Sequence, residues 1–565
     1  MSNVIFQKLV SDFVMKNKAL LSLYMIVIVF TWPAEAILLS RKYSDLVTSL
    51  RQRVDIKKLF NFGDNIKEGN VFGVLLLILF IWIGLIVFYR IKYTLEQQVF
   101  PVYMSHIRQT LVTNILKSNS NDYKDIKSGE YIAIINELTH VFLGMVEKVT
   151  GKFLPLFVGV ISITIYYFII HPYIGLTFSV LSLIRGVFNY HQGMDYARSC
   201  AIRDKSYFDL NEHINDTFNN SMNIHLNNTM KFEEKKGKKM NDKYDLEQEE
   251  EMRVRKNIIW KSNLITILCF VMIIVIAYYL YMKKKVSLPL LLTIAFIEIK
   301  LVGTFIEFDS LSLQFFQRFG TVIATNDFLR DVLSNSDEKA KTCNTTKAGI
   351  NVKNMSFRYD DKSPYIFKDM NLHVKPGERV GLIGRSGSGK TTLMKVLLGL
   401  HKYTSGKITI GDCNINNMSN EKLRENVVYI NQKTQLFNQS VLKNIQYGND
   451  HLSEETILKY LKKHNLEVVF SGLEKGIYSS AGVNGSMLSL GMQKVTMILR
   501  GVFKKGNILI FDEPLAGLDK KTKEKVIQII NSISRSKTII VVTHDNEILS
   551  YLDKVYKLED LHKKK

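Results

Sequence analysis

The stretch ERVGLIGRSGSGKTTLMKVLLGL, Glu378 to Leu400, decides the fold of the segment around it. Its first part, VGLIG, reads as a buried strand, and KTTLMKVLLGL has the apolar spacing of an amphipathic helix. Gly384-x4-Gly389-Lys390-Thr391 joins the two, so a phosphate-binding loop stands in the strand–loop–helix context it requires. Glycines there let backbone N–H groups converge on a phosphate at a helix N-terminus, where the dipole favours an anion. Gly384, Arg385, Ser386, Gly387, Ser388, Gly389, Lys390, Thr391 and Thr392 form the candidate cradle. Lys390 is expected to reach the β- and γ-phosphates of a nucleotide, and the Thr391 hydroxyl to ligate Mg²⁺. The alternative, a glycine turn that merely opens a helix, leaves the lysine and threonine without a reason.

Downstream, NILIFDEP is an apolar strand that ends in Asp512-Glu513. An acid at the carboxyl end of a buried strand suits the Mg²⁺ shell, the role expected of Asp512. The next acid, Glu513, suits polarisation of an attacking water. A second apolar strand, TIIVVTHD, brings His544 toward the same edge. A single histidine is most often structural, but a strand end in an α/β domain with a phosphate loop favours function.

Before about residue 310 the sequence changes character. A helix crossing the ~30 Å hydrocarbon core needs about 20 mostly apolar residues. Six segments qualify: 20–39, 71–89, 153–170, 173–190, 258–282 and 287–308. The first holds Pro33 and Glu35, which suggests a kink and a face turned to protein. Only His171-Pro172 separates the third and fourth, a tight turn. Residues 90–152 and 191–257 are long, polar and helix-prone, so spanning helices are expected to continue beyond the bilayer as a stalk. Positive charge is rich in these long loops but also present in the presumed outer ones (Arg41, Lys42, Arg51, Arg53, Lys57, Lys58, and Lys283 to Lys285). Loop charge therefore does not set the topology. The nucleotide-binding part must face the cytosol, and an even number of spans then leaves both ends there. Residues 1–18 mix lysines with Val4, Ile5, Leu9, Val10, Phe13 and Val14 and read as an amphipathic helix on the membrane surface. Glu35, Arg185, Glu298, Lys300 and Glu307 are ionisable residues within spans; pairing or snorkelling is the expected role of each.

The formal charge is +22, from 75 Lys+Arg against 53 Asp+Glu. That balance suits nucleic acid or an anionic membrane surface. Long apolar runs favour membrane lipid, and no nucleic-acid partner is expected. Cysteines at 200, 269, 343 and 413 contain no CxxC pair, which argues against a zinc site or disulfide framework. Residues 334–348, SNSDEKAKTCNTTKA, are polar and unpatterned and read as a linker. The expected division is a membrane domain over 1–333, this linker, and a nucleotide-binding domain over 349–565.

These residues carry a resemblance to ATP-binding cassette (ABC) transporters of the exporter type, in particular half-transporters, over nearly the whole chain. GRSGSGKTT matches the Walker A motif and ILIFDE Walker B; LAGLD, with Asp519, matches the D-loop. Tyr359 in FRYD matches the aromatic that stacks on adenine. Gln432 in YINQKTQLF matches the Q-loop glutamine, which senses Mg²⁺, and His544 the switch histidine. In the membrane half, KSGEYIAIINELT, NEHINDTFNNSMNIHL and TVIATNDFLRDVL resemble the segments around the two coupling helices and the stalk. The resemblance implies a six-span α-helical membrane bundle fused to an α/β P-loop NTPase domain of ABC type. It also implies ATP and Mg²⁺ as cofactors, and Glu513, His544, Lys390 and Gln432 as the catalytic set.

Two departures stand out. Where the family has Leu-Ser-Gly-Gly-Gln, this chain has Leu488-Ser489-Leu490-Gly491-Met492, and Val483 replaces the acid usual in the X-loop. In the family this signature completes the nucleotide site of the opposite cassette. Ser489 and Gly491 retain its contacts. Leu490 adds bulk where a backbone must approach closely, and Met492 removes an amide. Losing one or two charge-assisted hydrogen bonds costs about 1.5–3 kcal/mol each, tenfold or more in rate. One membrane domain and one cassette require a second half-transporter. A heterodimer is favoured over a homodimer, because a partner's intact signature would complete the Walker site of this chain. ATP-driven export of an unidentified substrate is the leading reading. A membrane regulator that binds ATP with little hydrolysis is the alternative, and a soluble nucleic-acid ATPase is excluded by the spans.

Overall fold

The computed structural model describes residues 7–51, 71–121, 128–333, 349–360, 362–432, 435–449 and 451–561. The chain divides into two compact units: residues 1–116 with 125–335, and residues 117–124 with 336–565. The expected linker, 334–348, lies outside the described residues, as do Val4, Ile5, Arg53, Lys57 and Lys58.

The described elements of the first unit are all helices. Its main elements are α1 (Lys18–Pro33), α2 (Leu39–Arg51), α3 (Val71–Asn121), α4 (Ser128–Lys148) and α5 (Leu154–Ile170). They continue as α6 (Pro172–Asn219), α7 (Met230–Met282), α8 (Leu288–Ala324) and α9 (Asn326–Leu333). At 1.5 Å per residue, α3 and α7 each run for about 75–80 Å, far beyond an apolar core, as the stalk reading expects. The tight turn between α5 and α6 is one extended residue, His171, whose ring accepts the Tyr173 N–H, and Pro172 opens α6.

Among the described residues, four stretches of the six expected are long and apolar enough by themselves to cross a membrane: Val71–Ser118, Tyr131–Ile170, Met230–Met282 and Leu288–Ala324. The expected span 173–190 falls short because Thr177, Ser179, Ser182, Arg185 and Asn189 dilute its apolar run within α6. The expected span 20–39 lies on a continuous helical path: α1 passes at Pro33 into a π-helical segment, Ala34–Leu38, and on into α2. Proline has no N–H for the ladder, a standard cause of such a change.

Glu35, Arg185, Glu298, Lys300 and Glu307, the five ionisable residues singled out within the expected spans, find partners. Arg185 donates to both carboxylate oxygens of Asp309, at 2.7 and 2.6 Å, and its guanidinium lies 4.5 Å from the centre of the Phe305 ring. Asn189 and Ser262 also donate to Asp309. Lys300 pairs with Glu35, which also accepts from Tyr89, while Glu298 accepts the Tyr167 hydroxyl at 2.8 Å and Glu307 pairs with Lys152. The N-terminal segment needs a correction. Leu9 and Phe13 are buried against Tyr103, Ile107 and Leu329, and Lys8 donates to Asn114 and to the carbonyl of Leu333. Its apolar face meets protein, where lipid was expected.

The second unit has nine described strands: β1 (Ile350–Phe357), β2 (Phe367–Val374), β3 (Arg379–Ile383), β4 (Ser405–Ile410), β5 (Cys413–Asn414), β6 (Val427–Ile430), β7 (Ile508–Asp512), β8 (Thr538–Val542) and β9 (Lys554–Lys557). The first sheet is antiparallel, in the order β2-β1-β4-β5; the second is parallel, β6-β7-β8-β3-β9. Every residue of β7 and β8 is buried, the mark of a central parallel strand covered on both faces. Helices α10 (Lys390–Leu397), α11 (Leu490–Val502) and α12 (Lys520–Ser532) follow in chain order. Cys413 is disulfide-bonded, contrary to the expectation from spacing, whereas Cys200 and Cys269 are free thiols.

Candidate nucleotide site

Four adjacent parallel strands, β6, β7, β8 and β3, deliver their carboxyl ends to one edge of the second sheet. Ligands of open α/β sheets bind outside that edge. At the end of β3 the glycine loop begins. Gly387 and Gly389 sit at φ +79° and +98°, a region that glycine enters without strain. A Cβ on Gly389 would come within 2.8 Å of the Phe367 ring and 2.9 Å of Ile366, so no other residue fits there. Gly389 then caps α10, and Lys390 is its first residue. The Lys390 ammonium turns back to the carbonyls of Gly384 and Arg385, at 2.6 and 3.0 Å, and lies 2.9 Å from Nε2 of His544.

Other residues of the loop are placed as follows. The Arg385 N–H donates to Glu559, a bond that holds the glutamate below the usual carboxylate range. Ser386 and Thr391 are exposed. The Ser388 hydroxyl is buried and has no hydrogen-bond partner among the described residues, an arrangement that a bound acceptor would relieve. Thr392 is buried, 3.0 Å from the hydroxyl of Tyr359. Tyr359 itself is 55% exposed and meets Phe357 and His401 edge-on. A cradle shaped by glycines, with an orphaned hydroxyl and a lysine at its mouth, fits a nucleotide phosphate.

The acids stand at the neighbouring strand end. Asp512 closes β7, is buried, and accepts the Tyr429 hydroxyl from β6 at 2.6 Å. Burial pushes its carboxyl above the usual range and the Tyr429 hydroxyl above its own. Glu513 follows in the left-handed region, at φ +49°, which costs a non-glycine residue about 1–2 kcal/mol. Its N–H is held by the carbonyl of Val542, and its carboxylate lies 3.7 Å from Nε2 of His544. Gln432 is exposed, two residues beyond the end of β6. The structure therefore brings the glycine loop, Asp512, Glu513 and His544 together on one edge, with Gln432 on the adjoining strand end. An oxygen-rich group of Thr391, Asp512 and Gln432 suits a hard cation such as Mg²⁺.

Ser489 and Gly491 form no hydrogen bond with the glycine loop among the described residues. Ser489 caps α11 by accepting the Met492 N–H at 3.3 Å. Leu490 lies over Gly517 of its own chain, 2.9 Å from where a Cβ there would stand. Met492 is half-buried against the cassette core, and Gln493 ties the turn by donating to the carbonyls of Gly485 and Leu488. Asp519 caps α12 through Thr522. Three residues of this region escaped the sequence reading: Tyr429, Glu559 and Lys494. The only signal for Lys494 was a lysine beside Val495 on the apolar side of a helix, and for Tyr429 a hydroxyl within the strand VVYI.

A glycine-loop lysine, a strand-end acid pair and a histidine on one parallel-sheet edge are the parts of a P-loop nucleotide-binding domain. Residues 367–516 match the family described as ABC transporter. The chain is 29% identical over 230 residues to an ATP-dependent lipid A-core flippase of Saccharophagus degradans, covering 41% of this chain and 39% of that one. It is 33% identical over 210 residues to the multidrug resistance-like ATP-binding protein MdlB of Buchnera aphidicola subsp. Schizaphis graminum, covering 37% and 35%. The chain thus matches little more than a third of the length of these relatives. Its fold is similar to that of a bacterial Atm1-family ABC exporter with ATP bound, with a TM-score of 0.83 at 16% identity, over 97% of this chain and 95% of the other. The family match thus lies within the cassette, and the likeness over nearly the whole chain is one of fold.

Proposed function

We propose that this chain is one half of an ATP-driven exporter, with residues 1–333 as the membrane domain, 334–348 as the linker and 349–565 as the cytosolic cassette. The convergence of Lys390, Asp512, Glu513 and His544 on one sheet edge carries this reading. ATP would lie in the glycine cradle, with Tyr359 against the adenine and Lys390 on the β- and γ-phosphates. Mg²⁺, held by Thr391, Asp512 and Gln432, would neutralise phosphate charge. Glu513 polarises the attacking water, and His544 orients the γ-phosphate side of the site. Binding energy drives transport only if ATP binds the closed pair of cassettes more tightly than the open pair.

A second half-transporter completes the unit. A heterodimer is the favoured form, since Leu490 and Met492 weaken the face this chain offers its partner. The relatives are named for lipid A-core flipping and multidrug resistance, so a lipid-like or amphiphilic cargo is compatible with them; the cargo itself is unidentified. One observation supports a second reading, an ATP-binding membrane regulator with little turnover. Met492 is packed against its own core and Leu490 onto its own Gly517, which leaves Ser489 and Gly491 as the retained signature contacts. Purifying the native complex tests both readings. The exporter reading expects a second chain with an intact Leu-Ser-Gly-Gly-Gln and ATP turnover. A complex holding this chain alone excludes the heterodimer, and one that binds ATP without turnover favours the regulator.

A further inference from the structure

The signature helix reaches back to the acid of its own chain. Lys494 lies on the inner side of α11 and is buried. Its ammonium donates to the carbonyl of Glu513 at 3.1 Å and to that of Ala516 at 2.5 Å, so it spans the turn that follows β7. That turn holds itself weakly. Glu513 and Gly517 both have positive φ, and the backbone bonds within it, Ala516 N–H to Glu513 and Leu518 N–H to Leu515, are long at 3.3 Å. Leu490 of the same helix rests on Gly517 and adds an apolar contact to the polar one.

A buried ammonium is costly unless its donors are used. Burial here holds it below its usual range, against the pull of the Glu513 and Asp512 carboxylates. An apolar side chain would sit in this core at lower cost, so the charge is explained by what it grips. We propose that Lys494 is a positioning residue for hydrolysis. By clamping the carbonyls of Glu513 and Ala516, it keeps the strained Glu513 backbone in the conformation that turns its carboxylate toward His544. The signature helix, which serves the opposite site, and the acid of this chain's own site then move as one body. This rests on the reading of Glu513 as the group that polarises water.

The test uses the full chain in lipid, comparing wild type with Lys494→Met and Lys494→Gln. Amide hydrogen exchange is read over residues 515–518, together with kcat and KM for ATP. For Met, the expected result is exchange about tenfold faster and kcat about tenfold lower or more, with KM within about twofold. Gln still donates two N–H groups, so it should recover much of the protection and the rate. Unchanged exchange in the Met variant, or a Gln variant as loose as Met, overturns the proposal. If the Met variant does not fold, Gln against wild type carries the test: a small rise in exchange supports the clamp and no rise overturns it. Exchange needs no turnover, so a chain that never hydrolyses ATP would refute the role of Glu513 without deciding the clamp.

Discussion

The ammonium of Lys390 lies 2.9 Å from Nε2 of His544, which joins the first residue after the glycine loop to the residue beyond β8. Two loop carbonyls also hold the ammonium, at 2.6 and 3.0 Å, so it stands at the mouth of the glycine loop. Lys390→Ala should weaken ATP binding by about 10- to 100-fold, the worth of a charged hydrogen bond. His544→Ala should leave affinity within about threefold and act on turnover. Displacement of a fluorescent nucleotide checks both, and equal losses of affinity would contradict the assignment.

Asp512 predicts a pH dependence. Burial raises its carboxyl above the usual range in the fold. A group raised in this way contributes its full stability below its unfolded value, and that contribution is lost as pH rises through the folded value. Asp512→Asn removes the titration and keeps an acceptor for Tyr429. The nucleotide-free Asn variant should therefore gain thermal stability relative to wild type as pH rises above the ordinary aspartate value of about 4. A difference that stays constant with pH would contradict this.

How far the sequence could be read follows from where partners lie. Gly384 to Thr392 form a local pattern of strand, loop and helix, and the structure places it as the spacing requires. Asp512, Glu513 and His544 were legible because each ends an apolar strand, and parallel strands share an edge. Tyr429 and Lys494 were not, because their partners stand 83 and 19 to 22 residues away and only the packed sheet and helix make them neighbours. The same holds for Arg185, visible as a charge in an apolar run, whose counter-ion Asp309 is 124 residues on. The apolar run of residues 173–190 is diluted where polar residues of α6 serve that ion pair.

The signature predicts a gain of function. Leu490→Gly with Met492→Gln restores Leu-Ser-Gly-Gly-Gln in sequence. If closure against this face limits a dimer of this chain, ATP turnover should rise about tenfold or more. Turnover that is unchanged would place the limit elsewhere.

The membrane unit predicts a coupled pair. Arg185→Leu leaves the buried Asp309 carboxylate without its cation, and should cost about 3–5 kcal/mol of stability. Adding Asp309→Leu should recover much of that loss, because two apolar side chains replace a desolvated ion pair. Thermal unfolding of the three variants in detergent measures the coupling, and additive losses would contradict it.

On the proposed reading, this chain's own Walker site hydrolyses ATP. The most direct measurement is ATP turnover in lipid by the complex containing this chain, wild type against Glu513→Gln, with ATP binding measured in both. The account predicts turnover in wild type, and its loss in the Gln variant with ATP still bound. Turnover equal in the two, or none in the wild-type complex while ATP binds, would contradict it.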